Sequence, residues 1–349
     1  MRRSRLALGA VACALYACGT SDHGAPQSQP PIPLPMDPTP PPKGPQPDYG
    51  ATRHLDDSPP PISGGTLTML SDGRAAAADP DRDRVYLVEL TARSVATLAL
   101  QPHDEPGRMI EDDAHQLHVV LRRAGAVVTI DLAEGTIVAR RNVCPAPRGI
   151  DYDPTSARLF IACETGEIVA MSPAAAAVPY VIARIDRDLR DVVVSGNGFL
   201  WVTRFRHSEL LAVSMLGAVT DRRLLATPGA PSLPTLAWRM IRPPAGGTGA
   251  ADAPNTPTVL HEDATVAPVS PTPSGYDHTG KPPDGTIAPS CDHGIISASI
   301  AIGGGGVTGL PRQAALPVDF ARDGKNFVVV AAGNGHTREL PRLFALQSG

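Results

Sequence analysis

Residues 147–171 read PRGIDYDPTSARLFIACETGEIVAM, and this stretch decides the fold. A short apolar run, Gly149-Ile150, leads into a turn at Asp153-Pro154-Thr155. A second run follows at Leu159-Phe160-Ile161-Ala162, then a Thr165-Gly166 break, then a third at Ile168-Val169-Ala170. Runs this short, rich in branched residues and cut by Asp, Pro, Thr and Gly, are strands joined by tight turns.

The same phrase recurs on both sides. It reads as Arg74-AAAADPDRDRVYLVE, Arg108-MIEDDAHQLHVVL, Arg148-GIDYDPTSARLFIA and Arg190-DVVVSGNGFLWVT, and again as Pro317-VDFARDGKNFVVV. The four opening arginines lie 34, 40 and 42 residues apart. Four strands at a step near 40 predict the blades of a β-propeller, since one blade alone leaves both faces unburied and a ring of them does not. We expect an all-β propeller over 64–349 with about six four-stranded blades, near 66–105, 106–145, 146–184, 185–228, 229–308 and 311–349. An incomplete ring or a seventh blade stays open. No 10 to 15-residue helical pattern separates the strands, which argues against a parallel α/β sheet. Residues 243–294, dense in Pro, Gly, Thr, Asp and His, read as a long irregular insertion in the fifth blade.

The Pro147-Arg148-Gly149-Ile150, Asp153-Pro154, Leu159-Phe160-Ile161-Ala162 and Gly166-Glu167-Ile168 segments resemble the YVTN-type propeller repeat. The arrangement is also similar to the propeller half of bacterial propeller–cytochrome c lipoproteins. Those carry Cys-x-x-Cys-His; here Cys291-Asp292-His293 lacks the second cysteine, so no haem or other cofactor is expected. The resemblance implies architecture and leaves function open.

The amino terminus reads as an address. Arg2, Arg3 and Arg5 precede an uncharged run from Leu6 to Ala17, too short to span a bilayer and suited to an export signal over 1–17. Its end, Leu15-Tyr16-Ala17-Cys18, resembles a lipobox, which implies acylation of Cys18 with fatty chains such as palmitate. By resemblance to Gram-negative lipoproteins, Gly19 after Cys18 points to the outer membrane. From Pro26 to Pro61 there are fourteen prolines, so 18–63 is expected to be an extended tether, reaching up to roughly 100 Å at about 3.1 Å per residue.

A net charge of −4 is small and gives no electrostatic argument for nucleic acid, which would call for a clustered basic face, so no nucleic-acid partner is expected. Once the leader is set aside, Cys144 and Cys163 flank the start of one blade, and an exported chain permits a disulfide between them. Asp79, Asp81 and Asp83 alternate as in a calcium loop, but Arg84 and Leu90 stand where Gly and Glu are required. His261, Glu262, Asp263, Asp277, His278, Cys291, Asp292 and His293 match no compact metal spacing and read as a solvated loop. Gly303 to Gly309 is followed by Leu310-Pro311 where a phosphate loop needs a helix. The acids to inspect at the propeller axis are Glu111, Asp151 and Asp319. The expectation is a non-enzymatic binding or scaffolding module with an envelope protein partner. The alternative is a redox or hydrolytic accessory with chemistry at the central channel.

Overall fold

The computed structural model describes residues 64–225, 232–243, 255–266, 296–302, 306–310, 314–323, 326–334 and 343–347. The leader, Cys18 and the proline-rich segment lie outside the described residues.

The chain forms a six-bladed β-propeller with no helix among the described residues. Blade 1 holds β1 (Leu67–Met69), β2 (Ala75–Asp79), β3 (Arg84–Glu89) and β4 (Ser94–Ala99). Blade 2 holds β5 (Pro106–Glu111), β6 (Gln116–Leu121), β7 (Ala126–Asp131) and β8 (Thr136–Asn142). Blade 3 holds β9 (Pro147–Asp153), β10 (Arg158–Cys163), β11 (Glu167–Met171) and β12 (Tyr180–Arg184). Blade 4 holds β13 (Leu189–Val194), β14 (Phe199–Arg204), β15 (Glu209–Ser214) and β16 (Val219–Leu224). Blade 5 holds β17 (Ser232–Ile241), β18 (Thr258–Thr265), β19 (Ile296–Ile302) and β20 (Gly306–Gly309). Blade 6 shows three strands among the described residues: β21 (Ala314–Asp323), β22 (Asn326–Asn334) and β23 (Leu343–Gln347). Within each blade, every strand pairs antiparallel with the next in sequence.

Two expectations are corrected. The first concerns blade 1, where Ala75–Ala78 is the second strand rather than the first; the innermost strand is the three-residue β1. The polar turn Asp79-Pro80-Asp81 imitates Asp153-Pro154-Thr155, and matching the two displaced the repeat by one strand. Arg74 is therefore a turn residue, bound to Asp72 Oδ2 at 2.6 Å and to the Leu132 carbonyl at 2.8 Å. The second concerns the expected irregular segment 243–294, which contains β18. Its buried His261, Glu262 and Asp263 break the apolar pattern by which a strand is recognised.

The blades pack through alternating residues. Successive side chains of a strand face opposite sides of the sheet. In blade 2, Val119 and Val128 join the cluster shared with blade 1, while Val120 and Val127 join the cluster shared with blade 3. In blade 3, Leu159 and Ile161 face blade 2, while Phe160 and Ala162 face blade 4. Middle strands thus lack a polar face, and each fully buried Val or Leu contributes about 1.5–3 kcal/mol. Further clusters join blade 4 to blade 5 and blade 5 to blade 6. At the seam between blades 6 and 1 the backbone of Gly64 and Gly65 approaches β21 closely. Gly65 donates its N–H to Asp319 Oδ2 at 2.7 Å, and a Cβ on Gly64 would lie 1.8 Å from the Val318 carbonyl oxygen.

Blade 2 also carries a buried polar chain. His118 Nε2 meets Asp112 Oδ2 at 2.9 Å, His118 Nδ1 meets Thr129 Oγ1 at 2.9 Å, and Arg141 Nη2 donates to the same hydroxyl at 2.7 Å. Burial pushes the imidazole below its ordinary value against the pull of Asp112. The folded state therefore binds a proton at His118 less readily than the unfolded chain does. Stability is full above about pH 6.5 and is lost as pH falls through the lowered folded value. A urea midpoint lower at pH 5 than at pH 7.5, with the difference reduced in His118→Gln, is the expected result; an unchanged pH slope in that variant would contradict it.

Candidate functional site at the axis

The first strands β5, β9, β13, β17 and β21 bring charged residues together at the centre. Arg108 of blade 2 pairs through Nε with Asp191 Oδ1 of blade 4, both almost fully buried. Arg108 Nη2 also donates to the Trp238 carbonyl of blade 5 at 3.2 Å. Asp191 accepts the Met240 N–H at 2.8 Å and lies 3.8 Å from Arg239 Nη1. Arg239 Nε stands 3.3 Å from Asp319 Oδ1, and Asp319 closes the circuit on the Gly65 N–H. Cation and anion alternate around the ring, and blades 1, 2, 4, 5 and 6 each contribute. Gly149 passes the same level in blade 3, where a Cβ would come within 2.8 Å of the Asp191 Cα. A side chain there would collide with backbone, so this close approach needs glycine.

Burial dominates the electrostatics. It pushes Arg108 down to about 9, with Asp191 pulling it back up and Arg239 and Arg190 pressing it lower. The group stays protonated at neutral pH, because Asp191 supplies the compensating charge.

The three acids singled out from sequence separate in space. Asp319 belongs to the ring. Asp151 is buried and accepts from Arg242 Nε of blade 5 at 3.0 Å and from the Val194 N–H of blade 4 at 2.7 Å. Desolvation raises its carboxyl despite Arg242. Glu111 does not meet the other two: it accepts from Ser71 N–H and Oγ–H, both at 2.7 Å, beside His115, and so ties blade 1 to blade 2 at a turn. Backbone and side-chain bonds from Ser71 hold it below the usual carboxylate range against desolvation.

The arginines are the residues that sequence reasoning passed over. At the amino-terminal ends of the inner strands stand Arg148 and Arg190. Gly107 occupies that place in blade 2, and Arg122 leans over it from the β6–β7 turn, with Cδ 3.2 Å from where a glycine Cβ would be. The Arg190 guanidinium lies 4.7 Å from the Phe205 ring centre and 5.9 Å from that of Trp238. Those rings meet edge to face at 5.2 Å. Arg148 pairs with Glu164. Burial and mutual repulsion depress Arg122 and Arg190. For Arg148 and Arg190 the signal was visible as the arginine opening the repeat; Arg122, in a turn, carried none.

At the carboxyl-terminal ends of β9 and β13, a depression of about 410 Å³ is lined by Tyr152, Asp153, Thr155, Ser195, Met215 and Arg242. On β18, His261 Nδ1 lies 3.4 Å from Asp263 Oδ1, with both side chains buried. Among the described residues no three His, Cys, Asp or Glu side chains group to hold a metal ion. Asp277, His278, Cys291, Asp292 and His293 lie outside the described residues. Cys144 and Cys163 are joined by a disulfide with Cα atoms 6.3 Å apart.

No protein-family model matches the chain, and no curated protein matches it. Among solved structures it is similar to hydrazine synthase from Kuenenia stuttgartiensis, with TM-score 0.59 and 16% identity over 81% of this chain and 77% of that one. A protein from Lactobacillus plantarum gives TM-score 0.51 and 12% identity, covering 76% of each chain. Virginiamycin B lyase from Staphylococcus aureus gives TM-score 0.49 and 13% identity over 77% of this chain and 91% of that one. At such identities the likeness is one of fold: the chain shares the propeller scaffold, on which unrelated functions are mounted.

Proposed function

We propose that the protein is a lipid-anchored β-propeller of the bacterial envelope that works as a binding or scaffolding module for another envelope protein. The observation that carries this reading is the ring Arg108, Asp191, Arg239 and Asp319, in which cation and anion alternate at the axis. A neutralised, interlocked centre favours a rigid scaffold whose rims meet a partner. The redox or hydrolytic alternative draws no support there, since among the described residues the inner-strand acids Asp151, Asp191 and Asp319 each stand against an arginine. The leader, the cysteine at position 18 and the proline-rich segment support attachment at a distance from the outer membrane.

Two measurements test it. Cells making the wild-type chain are expected to incorporate labelled palmitate into it and to carry it in the membrane fraction; Cys18→Ser should take no label and partition as a water-soluble protein. Label retained by the Cys18→Ser chain would refute the anchor. Cross-linking in intact envelopes should recover the same partner protein repeatedly, and a chain recovered only as itself would refute the module.

A further inference from the structure

We propose that Arg122, Arg148 and Arg190 form a receptor for a compact, doubly charged oxyanion at the axial mouth of the propeller. This deepens the binding-module reading by naming the chemistry that the module takes.

Two of the three guanidiniums stand outside any ion pair among the described residues. Arg148 is neutralised by Glu164. Among the described residues, no carboxylate lies within ion-pair distance of Arg122 or Arg190. The Nε atoms of both are buried without a hydrogen-bond partner. A guanidinium offers five N–H donors in a rigid plane, and leaving one buried and unbonded costs stability. The three groups also act on one another as like charges. A fold that gathers cations in a half-buried mouth leaves a deficit that an anion would remove.

The surroundings hold the groups in place. The Arg190 guanidinium lies over Phe205 and Trp238, which supports its cation. Gly107 clears the space into which the Arg122 stem leans. Next to Arg190 in sequence, Asp191 is held in the buried ion pair with Arg108. Arginine forks match the oxygens of phosphate or carboxylate in pairs of bonds. Among the described residues neither Arg122 nor Arg190 is in an ion pair, although Asp191 acts on Arg190 and Glu105 and Asp81 act on Arg122, so the pair favours an anion of up to two charges.

The test uses the purified full chain, with inorganic phosphate, succinate and sodium chloride compared at matched ionic strength. Phosphate or succinate should raise the melting temperature saturably, as ligand binding to the native state requires, while chloride should not. A stronger response to phosphate identifies a phosphoryl group as the natural handle, and a stronger response to succinate identifies a dicarboxylate. Arg122→Gln, at a partly exposed turn, should weaken binding about tenfold or more by calorimetry. Arg190→Gln should do the same, with Arg190→Lys recovering part of the loss. Wild-type affinity in Arg122→Gln, or responses to phosphate and succinate that both fail to exceed that of chloride, overturns the receptor. Such a failure leaves palmitate labelling and partner capture untouched, so the two readings fail separately.

Discussion

Asp191→Ala is expected to lower the stability of the propeller by about 3–5 kcal/mol, the cost of stranding a buried cation. Asp191 is 2% exposed and answers Arg108, the Met240 N–H and Arg239 together. Removing its carboxylate leaves Arg108, itself buried, without its compensating charge and frees a buried backbone donor. Against a total stability of about 5–15 kcal/mol for a typical domain, the loss brings much of the population near unfolding. Removing both charges should cost far less, because a buried ion pair owes most of its apparent strength to the penalty of splitting it. Arg108→Met with Asp191→Leu is therefore expected to be more stable than Asp191→Ala alone. Urea unfolding followed by the fluorescence of Trp201 and Trp238 measures both. If Asp191→Ala unfolds within about 1 kcal/mol of wild type, the ring does not hold the blades.

The sequence carried the blades clearly because an inter-blade sheet needs apolar residues on both faces, and those make dense runs such as Leu159–Ala162. Turns with Asp, Pro and Gly mark where the runs end. The reading slipped where local chemistry imitated itself: in blade 1 the innermost strand is only three residues, and a neighbouring Asp-Pro-Asp turn looked more like the repeat. It failed at β18, where the fold buries His261 and Asp263 that composition assigns to solvent. The axial ring was half legible. Asp319 could be picked as an acid on an inner strand, and Arg108 stood out by its spacing, whereas Asp191 and Arg239 carried no such mark. Their partners could not be read, because Arg108 meets a carboxylate two blades away and no short-range pattern encodes a contact across an axis. Glu111 shows the reverse limit. Its place on an inner strand is right, yet one step toward the turn puts its carboxylate on Ser71 and away from the ring.

Loss of the Cys144–Cys163 bond is the other large effect expected. The cysteines enclose a sequence separation of 19 and tie the link between blades 2 and 3 to the end of β10. Closing a loop of this size restricts the unfolded chain by about 3 kcal/mol, a sum independent of the charges at the axis. Cys163 is also fully buried against Ile150, Leu159 and Val169, so the sulfur packs in the core as well as bonding. The double variant Cys144→Ala with Cys163→Ala should unfold at lower urea than the oxidised wild type and ignore reductant. The wild-type chain should move toward the variant when dithiothreitol is added. The two perturbations act by different routes, one on the unfolded ensemble and one on a buried charge, and they share no contact. Their costs should add within about 0.5 kcal/mol when combined, measured under conditions where the doubly weakened chain still folds. Strong non-additivity would mean that the axis and the blade 2–3 link form one cooperative unit. Equal midpoints for oxidised and reduced wild type would show that blade packing alone fixes this seam.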